Sequence, residues 1–203
     1  ALLSSLNSSR FFKQLVLFKA QGGRVIFDNN YREVLWQHCT KQFRLSCYQQ
    51  AMALADFAFL TDEDEYALYG GDSADAILAR YQQLGITGTT EIIIKQGNKP
   101  CIVQPKKEGE PWISVASQPI SPHKVIDTTA AGDAFSAGYL AKRLSGRNIS
   151  DAAKFAHAIA GRVVQHPGAI INKRAMADLM SSRTLSKSKS KSKSKSKSKS
   201  KSK

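Results

Sequence analysis

Short apolar runs alternate with helical patterns along most of this chain, and that alternation leaves few folds open to it. Arg24-Val25-Ile26-Phe27-Asp28, Asp56-Phe57-Ala58-Phe59-Leu60 and Glu91-Ile92-Ile93-Ile94-Lys95 are too short for helices and rich in β-branched or aromatic residues. Each reads as a strand. Between them lie segments with helical spacing and their own start and stop signals. Residues 10–21 place Phe11, Leu15 and Phe18 on one face, with Ser8 or Ser9 as cap and Gly22-Gly23 as the end. Residues 43–55 give a second helix. Thr61 caps a short acidic helix over 62–69, closed by Gly70-Gly71, and Ser73 caps another over 73–84 with Gly85 past its end. Residues 96–100 turn the third strand into a further one at Cys101-Ile102-Val103. Residues 111–115 form a strand near an edge, because prolines flank it. A long helix then runs to about Leu144, another covers 150–165, and a last one lies near 173–180. The pattern predicts an α/β fold in which helices cover a mostly parallel sheet.

In such folds ligands gather beyond the carboxyl ends of the strands. Four polar segments sit at such ends: 28–32, 61–65, 95–97 and 127–133. The last carries the most chemistry. Val125-Ile126 runs into Asp127, small residues follow through Thr128-Thr129-Ala130-Ala131-Gly132, and Asp133 stands where a helix begins. Small residues let a backbone come close to a ligand. The first turn of a helix offers free N–H groups and a partial positive charge, which suit an anion. An acid is odd there as a plain cap, since Thr128 or Thr129 would serve. Two readings stay open on spacing alone. In one, Asp133 is a base beside a bound phosphate whose oxygens lie on the amides of Ala130, Ala131 and Gly132. In the other, it caps an ordinary helix and Gly132 is a packing residue. The chain has no Gly-x-x-x-x-Gly-Lys-Ser/Thr run and no Gly-x-Gly-x-x-Gly after a strand, which sets aside two common nucleotide loops. His38, His123 and His166 lack metal-ligand spacing, and Cys39 and Cys101 have no adjacent base that would mark a nucleophile.

Composition matters mainly for the tail. The net charge of +14 falls to +5 without the nine lysines of the strict Ser-Lys alternation from Ser186 to Lys203. Residues 1–185 thus read as one α/β unit, and 186–203 as a disordered extension with no apolar residue to bury. The plain reading is a solubilising extension; the alternative is a polycation for nucleic acid or anionic lipid through counterion release, which without aromatics or arginines would be non-specific and salt-sensitive. Three cysteines with no Cys-x-x-Cys pair fit a reducing cytoplasm. No apolar run reaches about 18 residues, so no transmembrane helix is expected. The start has no cleavage pattern and no Met, and reads as the interior of a longer chain.

Asp127-Thr128-Thr129-Ala130-Ala131-Gly132-Asp133-Ala134-Phe135 resembles the Asp-Thr-x-Gly-Ala-Gly-Asp-x-Phe motif of the ribokinase-like (PfkB) sugar kinases. Gly138 and the Pro167-Gly168-Ala169 turn fit the same pattern. Ala130 stands where the motif has its first glycine. That exchange, together with Phe27-Asp28-Asn29-Asn30-Tyr31-Arg32-Glu33-Val34-Leu35-Trp36, is similar to the branch of the family that acts on the sugar acid 2-dehydro-3-deoxygluconate. The resemblance covers roughly residues 1–180 and only the family's later portion. It implies part of a ribokinase-like three-layer domain, without the first strands and the lid, so a sheet edge and apolar helix faces should be exposed.

The resemblance further implies ATP-dependent phosphorylation of the 6-hydroxyl of 2-dehydro-3-deoxy-D-gluconate. Asp133 is then the catalytic base, the loop from Ala130 to Gly132 the anion hole, and Mg²⁺ the companion of the phosphates. Arg32 would face the substrate carboxylate or the transferring phosphate, with Asp28 and Asn30 on the same segment. Lys95 and Gly97 match a Lys-x-Gly turn at the nucleotide site, and Thr128, Ala160 and Gly168 complete the expected ATP contacts. Where the family places Asn-x-x-Glu for magnesium, this chain has Thr61-Asp62-Glu63-Asp64. Asp64, or Glu65 by a small shift, is the expected metal carboxylate; acids favoured at a helix N-terminus are the plain alternative. His157 lies on the helix that borders adenine in the family. Asp127 and Thr129 match positions near a monovalent-cation site in some relatives. Trp36 and Trp112 read as packing residues. Self-association is a further expectation, since relatives are often oligomers. The competing readings are another sugar kinase of the family, such as a fructokinase or ribokinase; an inactive remnant; and a nucleic-acid binder acting through the tail.

Overall fold

The computed structural model describes residues 5–71 and 73–181. The Ser-Lys tail, with the disorder and nucleic-acid binding expected of it, lies outside the described residues. Five strands form one sheet in chain order: β1 (Ile26–Asp28), β2 (Phe57–Thr61), β3 (Glu91–Lys95), β4 (Cys101–Gln104) and β5 (Ile113–Val115). The first three are parallel, with Phe27 beside Ala58 and Phe59 beside Ile93. Strand β4 runs antiparallel to β3, and β5 antiparallel to β4. The sheet is therefore mixed, where the strand–helix alternation predicted a mostly parallel one. The reason is the connection: only residues 96–100 join β3 to β4, and a parallel crossover needs about a dozen residues or more. Gly97, at φ +60°, makes that tight turn.

Alternate residues of the strands face opposite sides, so each face collects its own core. Ala58, Leu60, Ile92, Ile94 and Ile102 meet Met52 of α3 (Lys41–Leu54) and Ile77, Leu78 and Tyr81 of α5 (Ala74–Gln83). On the other face Phe59, Ile93, Cys101 and Val103 meet Phe135 and Tyr139 of α6 (Ala131–Leu144) and Ala152, Ala153 and Ala156 of α7 (Ile149–Val163). The result is three layers. Burial of each of Ile92, Ile93 and Ile94 is complete, worth about 2 kcal/mol per side chain. Gly138 lets α6 and α7 close up, since a Cβ there would stand 3.2 Å from Ala156 Cα and 3.3 Å from Ile159 Cγ1. A third cluster joins Phe12 of α1 (Ser5–Ala20), Tyr31, Trp36 of α2 (Glu33–Trp36), Cys47 and Tyr48 of α3, and Leu68 of α4 (Asp62–Tyr69).

The caps of α4 and α5 are as expected: Thr61 Oγ1 accepts from Asp64 N at 3.1 Å and Ser73 Oγ from Ala76 N at 3.1 Å. Those of the first helices differ. Helix α1 already includes Ser5, so Ser8 is a buried residue within it rather than its cap. Helix α3 starts at Lys41, where Thr40 Oγ1 accepts from Phe43 N. The strand β1 forms one edge of the sheet; Ile26 is 47% exposed, and Val16, Leu17 and Phe18 of α1 are about half exposed. No helix among the described residues is long and apolar enough to cross a membrane.

Asp56 ties the start of β2 to its surroundings. Its carboxylate accepts from Lys106 at 2.8 Å, from Val25 N at 2.9 Å and from Lys19 at 3.1 Å. Burial alone would push its pKa up, but these three donors outweigh it and hold the group at about 2, below its ordinary 3.8. A depressed carboxylate stabilises the fold above its unfolded pKa and loses that contribution as pH falls through the folded one. The protein is expected to lose stability between about pH 4 and pH 2. Denaturant unfolding of Asp56→Asn should show a shallower slope across that window; an equal slope would place the acid sensitivity elsewhere.

Candidate active site

The carboxyl ends of β1 and β3 are joined by one ion pair that spans β2. Lys95 Nζ donates to Asp28 Oδ2 at 2.9 Å and to Ser136 Oγ at 3.5 Å, and Ser136 Oγ donates to Asp28 Oδ2 at 3.3 Å. The Lys95 side chain is only 10% exposed. It therefore does not snorkel to water but sits under the start of α6. A Cβ added to Gly132 would stand 3.6 Å from Lys95 Nζ. Two residues expected on different ligands, Asp28 on the sugar and Lys95 on the nucleotide, thus form one cluster against the small-residue loop at the start of α6. Ser136 is a member that the sequence reading missed. Its signal is the spacing, four residues after Gly132 and hence on the same helix face.

The loop itself opens α6 without a side-chain cap. Ala130 takes the N-cap position in left-handed geometry, φ 59° and ψ 13°. The amides of Ala131 and Ala134 bond to Thr128 O and Ala130 O. Those of Gly132 and Asp133 have no hydrogen-bond partner among the described residues. Asp133 is exposed in the first turn, and its side chain makes no hydrogen bond or ion pair there. The capping alternative is therefore not what the geometry shows. Asp127 does the structural work instead: Oδ1 accepts from Thr129 N and Oδ2 from Gly168 N, both at 2.8 Å. The bonds from Thr129, then from Gly168, hold its pKa below the ordinary value. They also bring the Gly168 turn, at φ +78°, beside Thr128 and the anion loop.

Left-handed geometry costs a residue with a Cβ about 1–2 kcal/mol, part of which a glycine returns as chain entropy on unfolding. Ala130→Gly is expected to raise the unfolding free energy by up to about 1 kcal/mol. Urea titration of the two proteins measures this; a loss of stability would mean that the Ala130 methyl makes compensating contacts.

Asn30, at φ +31°, is the only other non-glycine residue with positive φ among the described residues. Both strained positions fall in loops that the sequence nominated for binding, which is where such strain collects. Asn30 and Arg32 are exposed. Arg32 Nη1 donates to Tyr31 O at 2.7 Å and lies 3.8 Å from Asp64 Oδ1. No hydrogen bond or ion pair joins Arg32 to α6 among the described residues.

Of the two expected metal carboxylates, only Asp64 keeps exposed surface. Its side chain is 16% exposed and faces Arg32. Glu65 is fully buried and already bonded to Arg80, Tyr81 and Asn29. Desolvation raises its pKa against the pull of those donors. It is not a metal ligand in this geometry, because the helical turn that exposes Asp64 points the next side chain inward. No group of three or more potential ligand side chains occurs among the described residues.

On the nucleotide side, Gly97 is exposed in its turn and Ala160 is half-buried on α7. His157 is a packing residue: Nε2–H donates to Val115 O at 3.1 Å, and the ring meets Phe135 edge-on at 5.0 Å. Burial lowers its pKa, which the bond to Val115 O only partly offsets. A cavity of 680 Å³ lies at the opposite, amino end of β3, lined by Gln82, Gly88, Gln104, Glu110 and Trp112. None of the nominated residues borders it, and the chemistry gathers at the other end of the sheet.

Comparison with known proteins agrees with this geometry. The description "pfkB family carbohydrate kinase" matches residues 2–176. A 2-dehydro-3-deoxygluconokinase of Escherichia coli is 43% identical over 176 residues, 87% of this chain and 55% of that protein. A fructokinase of Klebsiella pneumoniae is 36% identical over 141 residues, 70% of this chain and 43% of that protein. Among solved structures, a fructokinase of Vibrio cholerae with fructose, ADP and calcium ion bound superposes with a TM-score of 0.70 at 27% identity, covering 88% of this chain and 57% of that one. The chain spans about half the length of the curated relatives it matches.

Proposed function

Because the chain belongs to the pfkB family of carbohydrate kinases, we propose that it carries the phosphoryl-transfer half of a kinase that phosphorylates the 6-hydroxyl of 2-dehydro-3-deoxy-D-gluconate with ATP. The observation that supports this most is the start of α6. Two unpartnered amides, an unengaged Asp133 carboxylate and the buried Lys95 ammonium converge there. That is a place for a phosphoryl group losing its leaving oxygen, with a base beside it for the attacking hydroxyl. Asp133 takes the hydroxyl proton. The amides of Gly132 and Asp133 carry the charge that spreads over the phosphoryl oxygens, and the Lys95 ammonium, paired with Asp28, lies behind them. Arg32 orients the sugar acid through its carboxylate.

A nucleotide and a divalent cation accompany the sugar in the fructokinase structure, and the same pairing of ATP with Mg²⁺ is the natural one here. The ion, when bound, neutralises phosphate charge. Asp64 is the carboxylate that would hold it, through water. The sugar acid is favoured over a neutral sugar by the 43% identity to the 2-dehydro-3-deoxygluconokinase. The fructokinase likeness keeps fructose as the second reading.

The test is ADP release on MgATP with 2-dehydro-3-deoxygluconate, fructose and ribose, with the product's phosphate located by NMR. Selective turnover of the sugar acid at its 6-hydroxyl is expected. Preference for a neutral sugar would overturn the substrate, and sugar-independent ATP hydrolysis would overturn the reaction.

A further inference from the structure

We propose that Glu65 is a positioning residue: it fixes the amide of Asn29, and through it the left-handed turn that aims Asn30, Tyr31 and Arg32. Only the identity of the ligand those residues meet rests on the function proposed above.

A carboxylate with no exposed surface is costly unless donors surround it. Two come from α5. Arg80 Nη1 donates at 2.8 Å, and the Tyr81 hydroxyl lies 3.0 and 3.1 Å from the two oxygens. Arg80 is itself held, donating to Gly70 O at 3.0 Å and lying 4.2 Å over the Tyr69 ring. The carboxylate therefore has a fixed place. The third donor comes from the far side of the sheet's first crossover: Asn29 Nδ2, at 3.3 Å.

Asn29 is 3% exposed, and its backbone N–H and both side-chain polar atoms are engaged. Its backbone N–H donates to Phe59 O at 3.0 Å, one residue beyond the end of β1. Its Oδ1 accepts from Asn30 N at 2.8 Å. The carboxylate decides which way this side chain points, because the flipped amide would set Oδ1 against Glu65. Flipped, it would also offer Asn30 N–H a second donor instead of an acceptor. Asn30 would then lose the bond that holds it at φ +31°. From that turn Tyr31 goes inward, edge-on to Tyr48 at 6.1 Å, and Arg32 goes outward to Asp64. One buried charge so sets the direction of three successive side chains.

A buried ion pair is weak evidence for stability, since apolar replacements often serve as well. A role in geometry makes a separate claim that residue-resolved amide exchange can read without any ligand. In Glu65→Gln the single remaining oxygen goes to Arg80, and the new NH₂ faces the Asn29 NH₂. Exchange at the Asn29 and Asn30 amides should quicken about tenfold, while β3 and α7 amides keep their rates. Asn29→Asp, which sets two carboxylates face to face, should do the same. The double variant Glu65→Gln with Asn29→Asp restores a donor–acceptor pair in reverse and should return both amides toward their original rates. Unchanged exchange in Glu65→Gln overturns the proposal. So does quickening spread evenly over the chain, or a double variant looser than either single one. Because no substrate is present, a failed kinase assay leaves this result standing, and the converse holds as well.

Discussion

Asp133→Asn is expected to lower ATP-dependent phosphorylation of the sugar acid by about 10³-fold, within the range that a positioned general base supplies, and to leave ATP binding intact. The side chain is exposed and makes no hydrogen bond or ion pair among the described residues. Removal of its charge therefore breaks nothing in the fold. Asparagine keeps the shape, and the free amides of Gly132 and Asp133 remain where they are. What is lost is the acceptor for the hydroxyl proton. The substitution also removes a negative charge from beside the phosphates, so ATP should bind as tightly as before or slightly more so. Initial rates with the sugar acid and calorimetric titration with ATP separate the two effects. Retained turnover would sink the base assignment. Lost turnover together with lost ATP binding would mean that Asp133 shapes the loop instead, a task the structure gives to Asp127 through Thr129 and Gly168.

The division between what could be read from the chain and what could not follows the range of the interactions. Strands β1, β2 and β3 and the caps Thr61 and Ser73 depend on neighbours within a few residues, so their pattern is local and legible. The small-residue loop at the start of α6 was legible for the same reason, as a short local run. The burial of Glu65 was not. In sequence it is the last of four successive acids, Asp62 to Glu65, and such a run reads as a solvated face. Arg80, Tyr81 and Asn29 make it otherwise, and they lie 15, 16 and 36 residues away. The Lys95–Asp28 pair is hidden in the same way, since 67 residues and a whole strand separate its members. The antiparallel half of the sheet had a signal that the alternation of strands and helices outweighed: a connection too short to cross over.

Arg143→Ala is expected to cost about 3–5 kcal/mol of stability, the loss typical of a buried charge left without its partner. That is a large part of the 5–15 kcal/mol or so that holds a domain together. Glu91 begins β3 and is 2% exposed. Arg143 grips it with two bonds, Nε to Oε1 at 2.8 Å and Nη2 to Oε2 at 2.6 Å, and the Tyr139 hydroxyl adds a third at 2.7 Å. Burial first, and the Glu91 charge second, push the Tyr139 pKa up, so the phenol stays a neutral donor. Tyr139→Phe removes one donor of three and should cost only about 1–2 kcal/mol. The decisive comparison is Glu91→Met with Arg143→Leu. If the cost of Arg143→Ala comes from an uncompensated charge, removal of both charges should be milder than removal of one, as denaturant unfolding would show. If the double variant is as unstable as Arg143→Ala, the stems and packing of this contact matter more than its charge. The contact lies about 15 Å along α6 from Asp133, at 1.5 Å per residue. It therefore acts on the site by fixing the helix that presents Asp133, and a destabilised but folded Arg143 variant should keep the selectivity among sugars that the parent shows.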